Sequence, residues 1–298
     1  MSNSFTYLVI MEPDASDQKA LFKAAELACK TNATIEIFAC AYLTDDEINQ
    51  YTSRQDAKYS AISNLTNWCS EQIEALITHQ NISAHTQSPS TDSRDIEPLH
   101  IKPPHIEWND QYLKAANYRA REIGANMIIT TNNHDRSDVK GLLRYSPCPV
   151  LLTHSFNRPT SGNVLAALDI HKKDDANDAL NNAILAAALN LTEDTKSCLH
   201  LVSAMNEKEA VTAHLGFEYL EDIESEQTVI ANRFELPQDQ VHVQLGNPQL
   251  IIQNCVETVD ADTLVIGTNA RKGVAGLFLG NTAEKLLSQL LCDVLVVN

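Results

Sequence analysis

The chain has 298 residues, 44% of them apolar, which is enough for two globular domains and too apolar for a disordered protein. Its 39 acidic and 22 basic residues give a net charge of −17 without a basic cluster, which argues against nucleic acid as a partner. No run of about 18 apolar residues predicts a membrane span, and the first residues do not resemble a secretory signal. Scattered cysteines without metal-finger spacing fit a reduced compartment, so we expect a cytoplasmic protein.

In the first half, short apolar strands alternate with amphipathic helices. The predicted order is a strand over 7–11, a helix over 20–28, a strand over 34–39, a long amphipathic stretch over 57–77, and strands over 105–108, 124–131 and 148–152. The segment 88–104 carries four prolines together with Ser, Thr and Asp, and it has no counterpart of similar length later in the chain. We interpret it as a mobile insertion.

The second half repeats this order. Its elements are a strand over 163–168, a helix over 179–191, a strand over 198–202, an amphipathic stretch over 207–234, and strands over 241–244, 259–267 and 292–296. The repeat predicts an α/β protein of two tandem doubly wound domains, each with a five-stranded parallel sheet. We place the domains at 1–156 and 163–298, joined by a polar linker near 155–162.

A glycine-rich segment, Gly267–Thr282, follows the predicted fourth strand of the second half. It holds four of the nine glycines in the chain, and a helical pattern follows it. Backbone N–H groups in such a turn, together with the start of a helix, can cradle phosphate. The corresponding stretch of the first half, 131–147, is eight positions shorter and has only Gly141. The first domain has therefore lost this loop.

The pattern of Gly267, Ala270, Gly280 and Asn281 resembles the G-x2-G-x9-G-[ST] motif of the universal stress protein family. The repeat along the chain resembles the tandem-domain type of that family. The resemblance implies sheet domains of the adenine nucleotide alpha hydrolase-like kind, some of which bind ATP. Ala270 replaces a motif glycine and Asn281 replaces the motif hydroxyl residue, and both replacements put nucleotide binding in doubt.

Carried over from ATP-binding members, the resemblance assigns a nucleotide site to the second domain. The acidic residue after its first strand is Asp169, and the residues expected beside adenine are Val202 and Ile266. The expected phosphate-loop residues are Gly267, Ala270, Arg271, Gly280, Asn281 and Thr282. The implied ligand is ATP or another nucleotide, with Mg²⁺. Glu12 takes the acidic position in the first domain, where no ordinary ATP site is expected.

These residues also have structural explanations that involve no ligand. The glycine-rich segment also fits a plain loop that ends in a helix cap at Asn281 or Thr282, and Asp169 fits a cap of the following helix. Arg271 fits a solvated loop charge. The sequence has no nucleophile elbow, Walker loop or CxxC pair, so we assign no catalytic residue and no resident metal site. An enzyme is not expected beyond a weak ATPase.

Three functional hypotheses remain open at this stage. The first is a stress-response sensor or adaptor that binds a small phosphorylated ligand through its second domain. The second is a non-nucleotide-binding protein that acts through a protein partner or dimerisation. The third is a weak ATPase, or a binder of a larger nucleotide-linked ligand between the two domains. The sequence leaves open an internal pseudo-dimer, a monomer and a homodimer, and it indicates neither nucleic acid nor membrane as a partner.

Overall fold

The computed structural model describes residues 5–13, 18–86, 99–132, 138–154, 161–170, 174–192, 198–205, 219–268, 286–287 and 289–298. The chain divides into two compact units, Met1–Ser155 and Phe156–Asn298. Across the described residues, no helix has the length and apolar character needed to cross a membrane.

The first unit is a parallel sheet with helices, as the alternating pattern predicted. Its strands are β1 (Thr6–Ile10), β2 (Thr34–Ala41), β3 (His100–Ile101), β4 (His105–Trp108), β5 (Met127–Thr131) and β6 (Val150–Thr153). Its helices are α1 (Lys19–Thr31), α2 (Asp45–Ile48), α3 (Arg54–Thr86), α4 (Tyr112–Ile123) and α5 (Asp138–Tyr145). The strand order is β3-β2-β1-β5-β6, and β4 also pairs with β2.

The third strand position of this sheet is filled by two short segments. β3 pairs with the start of β2 at Thr34 and Ile35, and β4 pairs with its second half from Phe38 onward. Pro103 and Pro104 separate the two segments, because proline has no N–H to donate to a neighbouring strand. The interpretation of 88–104 as a mobile insertion is therefore wrong for residues 100–101, which belong to the sheet, while residues 87–98 lie outside the described part.

The second unit repeats this architecture with an uninterrupted third strand. Its strands are β7 (Val164–Ala167), β8 (Leu199–Met205), β9 (Val241–Leu245), β10 (Thr263–Gly267) and β11 (Asp293–Val297). Its helices are α6 (Asp175–Thr192), α7 (Tyr219–Phe234) and α8 (Pro248–Thr258), with a 3-10 turn at Gln238–Gln240. The parallel strand order is β11-β10-β7-β8-β9. The predicted fold class, two tandem doubly wound α/β domains, is confirmed.

The hydrophobic core of each unit lies on its central strands. Leu8 and Val9 on β1 and Leu264 and Val265 on β10 have no exposed surface. These strands read as continuous apolar runs because helices cover both faces of a parallel sheet. Helix α1 shows the matching helical pattern, since its buried residues recur every three or four positions, among them Leu21, Ala24, Leu27 and Ala28.

One carboxylate is buried inside the first sheet. Glu36 on β2 is 2% exposed, and its Oε1 accepts a hydrogen bond from Arg119 Nε of α4 at 2.6 Å. Its Oε2 accepts from Lys102 Nζ at 3.1 Å, and Lys102 directly precedes the two prolines. Arg119 also reaches the exposed Glu122. Two cations thus balance the charge of Glu36 and tie α4 and the interrupted strand to β2.

Candidate functional site

Three of the predicted site residues lie at the carboxyl ends of two adjacent strands in the second unit, and a fourth, Val202, lies level with the end of β7 in the middle of the neighbouring strand β8. Asp169 follows β7, Val202 lies on β8, and Ile266 and Gly267 end β10. Leu168 N–H donates to Val202 O at 2.9 Å, which sets Asp169 just beyond the end of β7. The strand order reverses between β7 and β10, and ligands of open α/β sheets bind at such a point.

Two asparagines of α6 hold the backbone at Asp169. Asn177 Nδ2 and Asn181 Nδ2 donate to Asp169 O at 2.6 Å and 2.8 Å, and Asp169 N–H donates to Asn181 Oδ1 at 3.1 Å. The side chain of Asp169 is exposed. The N-terminal cap of α6 is Asp174, whose Oδ1 accepts from Asn177 N–H at 2.8 Å, so Asp169 does not serve as the cap. The arrangement fixes the backbone from which the exposed Asp169 side chain extends.

The sequence did not predict the two asparagines. They lie four positions apart, one helical turn, which places them on one face of α6 next to the end of β7. That spacing behind an acidic strand end is a signal that could have been used. An Asn on a helix has many other uses, so the signal is weak.

Gly267 is explained by close packing. A Cβ atom at this position would lie 2.7 Å from Leu180 Cγ and 2.8 Å from both Leu180 Cδ atoms. No side chain fits there unless α6 or the Leu180 side chain moves. The first glycine of the predicted loop therefore has a structural role, whether or not phosphate binds.

The end of β10 is anchored before the loop departs. Thr268 is buried, and its N–H donates to Val297 O at 2.8 Å while its Oγ1 hydrogen-bonds Asn298 Oδ1 at 2.9 Å. The remaining predicted loop residues lie outside the described part of the chain: Ala270, Arg271, Gly280, Asn281 and Thr282. Their assignments to phosphate stay predictions.

The space beside Val202 is small. Val202 is 1% exposed, and a cavity of about 10 Å³ next to it is lined also by Ile170, Ser203 and Ile230. A cavity of this volume holds a single water at most. A purine ring beside Val202 therefore requires some of the residues that line this cavity to move. Ser203 Oγ is buried there and has no hydrogen-bond partner among the described residues.

A histidine pair bridges β8 and β9 close to this cavity. His200 Nδ1 and His242 Nε2 are 3.2 Å apart, the rings are tilted by 21°, and their centroids are 5.5 Å apart. The two nitrogens therefore face each other in nearly coplanar rings, so one donates an N–H and the other accepts it. Burial lowers the pKa of both histidines, the positive charge of His200 lowers the pKa of His242 further, and Asp239 partly opposes both shifts. The pair is neutral.

The first unit differs at the corresponding edge. Glu12 follows β1, as Asp169 follows β7, but it is only 6% exposed. Gln18 Nε2 donates to Glu12 O at 2.8 Å. Asn132 and His154, which follow β5 and β6, are buried as well. In the described residues of both units, no group of three or more His, Cys, Asp or Glu side chains has the arrangement of a metal site.

Comparison with known proteins gives a consistent family assignment. Residues 161–298 match the model of the universal stress protein family. Universal stress protein E of Escherichia coli K12 is 25% identical over 97% of this chain and 92% of its own, and that of Salmonella typhi is 26% identical over 97% and 93%. The crystal structure of a functionally unknown Pseudomonas aeruginosa PAO1 protein is 26% identical, with a TM-score of 0.72, over 99% of this chain and 92% of its own.

Proposed function

Because this chain belongs to the universal stress protein family, we propose that its second unit binds ATP or a related phosphorylated small molecule and acts as a stress-response sensor or adaptor. The observation that carries the proposal is the exposed carboxylate of Asp169 on a backbone fixed by Asn177 and Asn181. It lies at the strand-order reversal, next to the start of the glycine-rich loop at Gly267.

A carboxylate in this position suits the sugar of a nucleotide. It accepts hydrogen bonds from ribose hydroxyl groups, and it can also take one coordination position of Mg²⁺ bound to the phosphates. The sequence motif assigns the phosphates to the loop, where backbone N–H groups and the side chains of Arg271, Asn281 and Thr282 would donate. We assign no catalytic residue to the site, so the proposal is binding rather than turnover.

Isothermal titration of the whole chain with ATP and with ADP, each with and without Mg²⁺, tests the proposal. We expect saturable binding, and Asp169→Asn should weaken it by about tenfold through loss of the charged acceptor. Asp175→Asn is the matched control, because Asp175 is an exposed acid in the first turn of α6 and should leave binding unchanged. Silence in all four titrations rejects nucleotide as the ligand, and undiminished binding by Asp169→Asn rejects this site.

The cavity of about 10 Å³ beside Val202 favours a second candidate, a protein that acts through a partner without bound nucleotide. Ala270 in place of a motif glycine supports the same idea, since a turn with positive φ disfavours any Cβ atom. Restoring the glycine separates the two candidates. If Ala270→Gly raises ATP affinity by about a hundredfold, the natural site has been switched off; an unchanged affinity removes this argument.

A further inference from the structure

A cavity in the first unit lies in a groove between α4 and α5. Its volume is about 660 Å³, which is in the usual range for small-molecule sites. The residues that matter for its chemistry are Lys114, Asn117, Tyr118, Arg121, Gly141 and Tyr145. None of them belongs to the nucleotide site proposed for the second unit.

Two side chains of α4 hold the groove in shape. Asn117 Nδ2 donates to Leu142 O at 3.3 Å, and Arg121 Nη2 donates to Tyr145 O at 2.9 Å. Both carbonyls are in the last turn of α5, where backbone oxygens have no partner within the helix. The two helices are therefore connected at two points, and the groove exists before any ligand arrives.

Gly141 keeps one wall of the groove open. It lies inside α5, where glycine is a weaker helix former than alanine. Its φ is not positive, and a Cβ atom added to it would meet nothing within 4 Å. Neither backbone conformation nor packing requires glycine here. Because Gly141 has no side chain, it leaves space in the groove.

The lining combines cations, aromatic rings and one buried acceptor. Lys114 and Arg121 outnumber Asp110, so the groove is locally positive on a chain with a net charge of −17. The rings of Tyr118 and Tyr145 are 60% and 57% exposed. Asn117 is 4% exposed, and its Oδ1 accepts no hydrogen bond from the described residues.

We propose that this groove binds a small planar aromatic anion. The ring would pack on the exposed tyrosines, which offer a large apolar surface. The anionic group, a carboxylate or a phosphate, would face Lys114 and Arg121, and arginine has further N–H donors beyond the one that Tyr145 O accepts.

Titration with chemically matched probes tests both parts of the ligand. Binding to the full chain is measured by ligand-observed NMR. We expect 4-hydroxybenzoate or phenyl phosphate to bind. The controls cyclohexanecarboxylate, benzyl alcohol and benzamidine, which lack the aromatic ring, the charge and the negative charge respectively, should bind at least about tenfold more weakly. Preference for the carboxylate or for the phosphate identifies the anionic group. If neither aromatic anion binds, or if the controls bind equally well, the proposal is overturned.

Two variants locate the binding. Gly141→Leu fills the groove with a good helix former in open space and should weaken binding by about tenfold or more, whereas Ala186→Leu on the exposed face of α6 should not. Lys114→Gln removes one cation and should weaken binding of the anionic probes by severalfold without changing the fold, as judged by circular dichroism. Unchanged binding in both Gly141→Leu and Lys114→Gln rejects the groove.

Discussion

The second strands of the two sheets carry a polar residue at the same position but surround it differently. Glu36 pairs with Leu8 in the first unit, and His200 pairs with Leu165 in the second. Glu36 is a buried anion held by two cations. His200 is neutral and shares a hydrogen bond with His242.

The third strands explain the difference. His105 pairs with Phe38 in the first unit, and His242 pairs with Val202 in the second, so a histidine occupies the same register in both. His105 stacks on Phe38, at 6.0 Å between ring centroids, instead of reaching Glu36. A polar group on a covered strand needs a partner. The residue that supplies this partner determines whether the polar residue on the second strand is charged or neutral.

The largest effect is expected from removing a cation that pairs with the buried Glu36. Arg119→Met should lower the free energy of unfolding of the first unit by about 3 kcal/mol, because Glu36 stays buried with only the half-exposed Lys102. Urea denaturation followed by tryptophan fluorescence measures this, since both tryptophans, Trp68 and Trp108, lie in the first unit. Glu122→Gln is the control. It removes an exposed partner of the same guanidinium and should cost less than about 1 kcal/mol. Equal losses in the two variants would contradict the argument.

The glycines of the two units are expected to respond in opposite directions. Gly267→Ala should destabilise the second unit by about 1–3 kcal/mol, because the new Cβ meets Leu180 at 2.7 Å. Gly141→Ala should stabilise the first unit by about 1 kcal/mol, because it has open space on a helix. Urea denaturation followed by circular dichroism measures both. Gly267→Ala should destabilise the second unit less when Leu180 has already been replaced by Ala, because the clash is then absent. If Gly267→Ala costs the same free energy of unfolding in both backgrounds, the contact with Leu180 is not the cause.

The His200–His242 pair should make the stability of the second unit sensitive to acid. The histidine pKa values are lowered in the folded state, so the unfolded chain binds more protons. Stability is fully present above about pH 6.5 and falls as the pH decreases from there, by at most about 1.4 kcal/mol per pH unit for each proton. His242→Gln should reduce this slope, since an amide can still bond to His200 but does not titrate. The control is His79→Gln, which changes the first unit and should therefore leave the acid sensitivity of the second unit unchanged. NMR titration of the ring protons checks the pKa direction, and an ordinary pKa for both rings would contradict it.

The sequence predicted the order of the strands and the helices α1, α3, α6 and α7, because apolar runs and helical periodicity are local signals. It also predicted that Asp169 follows the end of a strand, since an acidic residue directly after an apolar run marks where a buried strand stops. Its partners were not predicted. Asn177 and Asn181 hold the Asp169 backbone through contacts that no local pattern encodes.

The buried ion pair was missed for a related reason. A lone acid inside the apolar run of β2 is a signal that a cation must approach it, because a sheet covered on both faces leaves no water there. Its partner Arg119 is 83 positions away, so only the fold identifies it. The short strand β3 was missed because proline and polar residues dominate the composition around it, whereas β4 was predicted over 105–108, and both segments pair with β2.

The interrupted third strand bears on how the protein behaves at high concentration. An outer strand of a sheet offers a row of free backbone groups onto which another chain can add, and long flat edges are where fibres start. At this edge, Pro103 and Pro104 remove two donors in succession. No incoming strand can match this broken row over more than a few residues. We therefore expect the break between β3 and β4 to limit edge-on aggregation of the protein at high concentration.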